Sequence, residues 1–175
     1  GADFIKVRID DNLGASEKMS RPFFEALVDQ AHIRRLPVAV HLYYLNDAKF
    51  MLDVNADIIA HSVRDLAVDR EFIDKVIASD TCYIPTLTRE VSTFVYESVP
   101  DFFEDPYFLK EVEPEIIAEL SSPERMSRIA GSRSAQAYKA QLPTAMGNVG
   151  ALYNSGVRIA MGTDTGPPAR FQGYF

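Results

Sequence analysis

Four side chains in this 175-residue sequence could ligate a metal or move a proton, and they stand at comparable places in the pattern. His41 closes the apolar run Val38-Ala39-Val40, and His61 closes Ile58-Ile59-Ala60. Asp164 follows Val157-Arg158-Ile159-Ala160-Met161 in a turn bounded by Gly162 and Gly166. Lys6 sits inside the apolar stretch Phe4 to Ile9. A neutral imidazole is a good ligand for a borderline cation such as zinc, and a carboxylate completes an N/O donor set. Read singly, each residue has an ordinary structural role. A histidine at a strand end is commonly a hydrogen-bonded structural residue, and Asp164 fits a helix cap or an Asx-turn. Lys6 either snorkels out or pairs, or it has an altered amine, through a lowered pKa or covalent modification. The chain has three histidines, and two of them occupy equivalent strand ends. His32 falls late in a predicted helix and reads as a surface residue or a complement to the helix dipole.

The elements that must position these groups alternate. Residues 3–9 read as a strand, 10–19 as a loop, and a helix follows from a Ser20 cap to about Arg35, with Phe24, Leu27, Val28 and Ala31 as its apolar stripe. Residues 38–41 form the second strand. Asn46 is placed to cap a helix over 47–54, and 58–61 form the third strand. Asp69 caps a third helix with the stripe Phe72, Ile73, Val76 and Ile77, and 81–87 read as the fourth strand. Residues 88–134 then break the rhythm with an acidic, aromatic excursion, in which helices are expected over 114–120 and 123–130. A helix over about 135–154 carries Leu142, Ala145, Met146, Val149 and Leu152, and Pro143 is expected to kink or split it. Asn154-Ser155-Gly156 ends that helix, and a fifth strand starts at Val157. Strands alternating with helices imply a parallel sheet of βαβ units, in which ligands meet the carboxyl ends of the strands. His41, His61 and the Asp164 turn all belong to that end.

A net charge of −7 argues against a nucleic-acid partner, which calls for a basic face. No apolar run approaches the ~20 residues that span a bilayer, and no amino-terminal signal pattern is present, so the compartment stays open. With 47% apolar and 25% charged residues, the composition is that of an ordinary globular domain. The single cysteine, Cys82, lies in an apolar run and is expected to be a buried, inert thiol. The chain opens on strand-like residues and stops soon after the Asp164 turn, as a piece of something longer would.

The segments Ala2 to Val7, Val38 to Tyr43, Ala56 to Ser62 and Ile159 to Gly166 together resemble the amidohydrolase superfamily, in particular its imidazolonepropionase-like and prolidase-like branch. The resemblance implies a partial (β/α)8 barrel: strands four to eight with flanking helices, and a helical insertion before the last helix. Residues 1–175 would form one partial barrel domain, with 88–134 as an insertion or lid. It further implies that Lys6 is the strand-four lysine, carboxylated by carbon dioxide in many such enzymes. His41 and His61 would be metal ligands of the next two strands. Asp164 would be the strand-eight acid that both contacts metal and takes a proton from the attacking water. One or two divalent metal ions, zinc foremost, would activate that water for hydrolysis of a C–N bond in an amide, lactam, acyl-amino acid or prolyl dipeptide. Tyr43 and Arg64, just past strand ends, are candidates to hold a small-molecule substrate. The family's His-x-His pair of strand one is absent, so these residues cannot build the full site alone.

Two other readings compete. One is a non-catalytic α/β binding or interaction domain; a nucleotide binder of that class needs a glycine-rich phosphate turn after its first strand, where this chain has Asp10-Asp11-Asn12. The other is a metal-independent deaminase or lyase with Lys6 as a Schiff-base amine, which carbamate formation would preclude. The cluster Phe102, Phe103, Tyr107 and Phe108 also suits contact with a neighbouring subunit in a homo-oligomer.

Overall fold

The computed structural model describes residues 1–166 and 169–171. They fall into two compact units, residues 1–87 with 143–162, and residues 88–142 with those from 163 onward.

The first unit is built on four parallel strands, β1 (Ile5–Arg8), β2 (Val38–His41), β3 (Ile58–Ala60) and β4 (Cys82–Ile84), which lie side by side in chain order. Helices α1 (Arg21–Ile33), α2 (Leu45–Asp53) and α3 (Arg70–Ala78) connect them. The period of two along a strand divides the sheet into faces. Val7, Val38, Val40, Ile59 and Tyr83 pack with Phe24, Val28, Met51, Phe72, Val76 and Leu152 of the helices in one buried core. The register pairs Lys6 with Ala39 and Arg8 with His41, so these residues share the opposite face. Cys82 belongs to that face and is half-buried rather than buried as expected.

The expected fifth strand is shorter than its sequence suggests. Only an isolated parallel bridge joins Ile159 to Tyr83, held by Tyr83 N–H to Arg158 O at 2.9 Å and Ala160 N–H to Tyr83 O at 3.0 Å. Just beyond it, Gly162 lies close against the end of β4 and the turn after it, where only a residue without a side chain fits: a Cβ there would lie 2.6 Å from Ile84 Cγ2 and 3.2 Å from Thr86 Cγ2. The β4 strand likewise ends at Ile84, because Thr86 turns to φ +45° and helix α4 (Leu87–Ser92) begins.

Two helix starts differ in cause. Asp69 caps α3 as its sequence indicates, accepting Phe72 N–H at 2.9 Å. For α2, Asn46 is not the cap. The helix begins at Leu45, and Asp65, from the connection after β3, accepts Leu45 N–H at 2.8 Å. The outward stripe residues Ile77 and Met146 are exposed, contrary to their predicted inward placement. Helix α8 spans Arg133–Asn154 without a break at Pro143. A missing N–H removes one bond from a ladder of 22 residues, which the rest of the helix tolerates. Gly156, at φ +80°, closes α8 with Val157 N–H bonded to Leu152 O at 3.1 Å.

The second unit holds short 3₁₀ turns at Val95–Glu97 and Asp101–Glu104, then α5 (Phe108–Glu111), α6 (Pro114–Leu120) and α7 (Pro123–Ala130). The last two match the sequence expectation, each starting on the proline that suits a first helical turn. Its core is Tyr96, Phe103, Phe108 and Leu120. Phe103 and Phe108 stack at 5.4 Å with ring planes 8° apart, while Tyr107 points to solvent. No helix among the described residues is long and apolar enough to cross a membrane.

Candidate active site

The two strand-end histidines come together. Their rings meet edge to face with centroids 4.4 Å apart. His41 reaches this place as the last residue of β2. His61 lies one residue beyond β3, where continued alternation would turn its ring toward the helices. Its backbone instead takes φ +77°, a region that non-glycine residues adopt at a cost of about 1–3 kcal/mol. The ladder holds up to that point, with His61 N–H donating to Ile84 O at 2.9 Å. His61 is 2% exposed, and its Nδ1 lies 2.6 Å from Thr86 Oγ1.

His41 has a partner that sequence reasoning placed in a loop. Asp10 Oδ2 lies 3.1 Å from His41 Nε2, while Oδ1 accepts from Arg8 Nε and from Asn12 N–H, both at 2.9 Å. Burial alone would raise the Asp10 pKa, but contacts with His41, the Asn12 amide and Arg8 hold the carboxyl well below the usual range. The signal for Asp10 was its position just after a strand carrying Lys6 and Arg8. Composition alone makes it part of the polar connection 10–19.

That connection is tied down at several points. Tyr44 donates to Asp11 Oδ1 at 2.7 Å, and Lys18 pairs with Asp47 at 2.8 Å and lies 4.2 Å over the Tyr44 ring. Burial and the bond to Asp11 together push the Tyr44 hydroxyl well above its ordinary pKa.

Lys6 is exposed on the face that carries His41, one inward row earlier, roughly 7 Å along the strand. Tyr43 and Arg64 are buried at 2% and 1% exposure. Arg64 donates to the carbonyls of Leu42 and Ser62, and its guanidinium sits 4.5 Å over the Tyr43 ring. Both residues therefore brace the connections after β2 and β3. His32, expected to be a bystander, contacts Asp57 at 2.9 Å, and the same carboxylate accepts Val38 N–H at the start of β2.

Asp164 belongs to the second unit. It adopts φ +55° and pairs with Arg170, which also donates to the Asp164 carbonyl at 3.0 Å and to Ser92 Oγ at 2.9 Å. Thr88 Oγ1 donates to Thr163 O at 3.1 Å and anchors the other side of the turn. No sequence motif singles out Arg170. Among the described residues, no group of three or more His, Cys, Asp or Glu is disposed to hold a metal ion. The facing imidazoles supply two nitrogen-bearing rings of the type that zinc and similar divalent cations accept.

No family model matches the sequence. The fold is nevertheless similar to several solved structures. A Xaa-Pro dipeptidase with methionine bound in its active site superposes with a TM-score of 0.60 at 23% identity, covering 94% of this chain and 35% of that one. An amidohydrolase gives a TM-score of 0.57 at 20% identity, covering 94% and 34%. The chain has the fold of a carboxyl-terminal portion of an amidohydrolase. The A. niger ochratoxinase is similar as well, with a TM-score of 0.60 at 16% identity, covering 96% of this chain and 32% of that one. The chain thus spans about a third of the length of the amidohydrolase-fold structures it matches.

Proposed function

We propose that this chain is part of a metal-dependent amidohydrolase that cleaves C–N bonds, with β1 as strand four of its barrel. The observation that carries the reading is the edge-to-face pair of His41 and His61, which requires an unfavourable backbone angle at His61. A core-filling role would not need that angle, because continued alternation would bury the ring among the helices. In this reading His41 and His61 hold one or two divalent cations, with Lys6, as its carbamate, as an oxygen donor. When bound, the cation polarises a substrate carbonyl and lowers the pKa of a water. Asp164 accepts the water's proton and returns it to the leaving nitrogen. The solved structures named above include a dipeptidase and an ochratoxinase, which supports a hydrolase and favours an N-acyl amino acid or dipeptide as substrate class.

The test uses the full-length protein. It should contain stoichiometric metal and hydrolyse members of a panel of N-acyl amino acids and Xaa-Pro dipeptides. Asp164→Asn should keep the metal and lose at least about 100-fold in kcat, the lower range for a general acid–base group. Full activity in Asp164→Asn, or absence of metal from the active protein, overturns the reading.

A further inference from the structure

We infer that Asp10 is a positioning residue for His41, selecting which ring nitrogen of that histidine carries the proton. This inference rests on the proposed role of His41 at a metal site, and its geometry is independent of Asp164 and Lys6.

Asp10 is 3% exposed, and an aspartate is seldom buried to that degree without a specific partner. Its two oxygens have different partners. Oδ1 is committed to β1 and the turn after it, through Arg8 Nε and the Asn12 amide, both at 2.9 Å. These bonds fix the plane of the carboxylate. Oδ2 is thereby held 3.1 Å from His41 Nε2 on the neighbouring strand, an ion-pair contact rather than an aligned hydrogen bond. The register places Arg8 beside His41, and Ile9 N–H donates to His41 O at 3.1 Å, so the backbones of the two strands are locked where the side chains meet. An ionised carboxylate offers lone pairs only. A neutral imidazole facing one therefore keeps its proton on the near nitrogen, Nε2, and its basic nitrogen is Nδ1. Carboxylate partners of this kind set the tautomer and orientation of metal-binding histidines, and their loss typically costs 10–100-fold in metal affinity.

Asp10→Asn provides a sharp test because the amide is isosteric. Its oxygen can retain the bonds from Arg8 and the Asn12 amide, while its NH₂ faces His41. A donor in that place reverses the tautomer. The full-length protein, labelled with ¹⁵N at histidine, is to be studied by long-range ¹H–¹⁵N NMR in the metal-free form. His41 should be the Nε2–H tautomer in the natural protein and Nδ1–H in Asp10→Asn. Zinc titration should show affinity lowered by about 10–100-fold in the variant. Asp10→Glu, which restores a carboxylate, should return the Nε2–H tautomer. An Nδ1–H tautomer in the natural protein overturns the inference, even if the variant does not fold. So does a tautomer unchanged by Asp10→Asn. If the tautomer switches as stated but the natural protein takes up no zinc, the positioning role stands and the metallohydrolase reading fails.

Discussion

His61 is held by opposed requirements. Its backbone strain is offset by what its side chain gains: a ring contact with His41 and a 2.6 Å contact from Nδ1 to Thr86 Oγ1 in a nearly dry setting. Thr86→Val removes the hydroxyl and keeps the branched shape, so the φ +45° at that position meets no new penalty. Loss of a partner to a buried polar atom should then cost about 1–3 kcal/mol in urea unfolding. A change near zero would show that the Thr86 contact contributes nothing to holding His61. Sequence alone located both histidines at strand ends. It could not reveal Asp10 as the partner of His41, because that contact joins residues 31 positions apart through strand register.

Helices α2 and α3 are fastened to each other by charge. Lys49 Nζ lies 2.6 Å from both Asp69 Oδ2 and Glu71 Oε2, and Lys75 reaches Asp53 and Glu71. Hydrogen bonding from Lys49 lowers the pKa of Asp69 and of Glu71, and that of Lys49 is raised in return. The sign follows from these directions. Depressed carboxylates add stability that is complete above their unfolded values and lost as pH falls through their folded ones. The raised lysine adds stability that is complete below its unfolded value and lost only as pH rises through its folded one. The urea midpoint should therefore drop as pH falls from about 5 toward 2, and Lys49→Met should flatten that drop. Added salt should weaken the difference, since these groups face solvent. An identical acid slope in Lys49→Met would remove the network from the account. At this scale the element order was readable from hydrophobic period and punctuation. What failed were local assignments with non-local causes. Asp65 caps α2 from a distant connection, and the strand expected over 157–161 is reduced to a single bridge between Ile159 and Tyr83.

For the chain as a whole, ligand number sets the expectation. The described residues contain no group of three or more candidate ligands, and zinc is held tightly by three or four protein donors. The isolated 175-residue chain should bind zinc with a dissociation constant weaker than about 1 μM, corresponding to about −8 kcal/mol. Calorimetric titration against a competing chelator measures this directly. Tight stoichiometric binding would mean that this chain assembles a complete site from its own residues.

The sequence by itself determined the parallel βαβ rhythm, the strand ends at which His41 and His61 stand, and the turn that bears Asp164. Those features depend on local pattern: apolar runs of strand length, capping residues, prolines and glycines. The tertiary structure decided which side chains meet. Strand register put Asp10 against His41, and a left-handed backbone at His61 turned its ring toward His41. Contacts within the second unit gave Asp164 an arginine partner. None of these follows from pattern, because register and backbone sign are chosen by the packing of a whole unit rather than by neighbours in sequence.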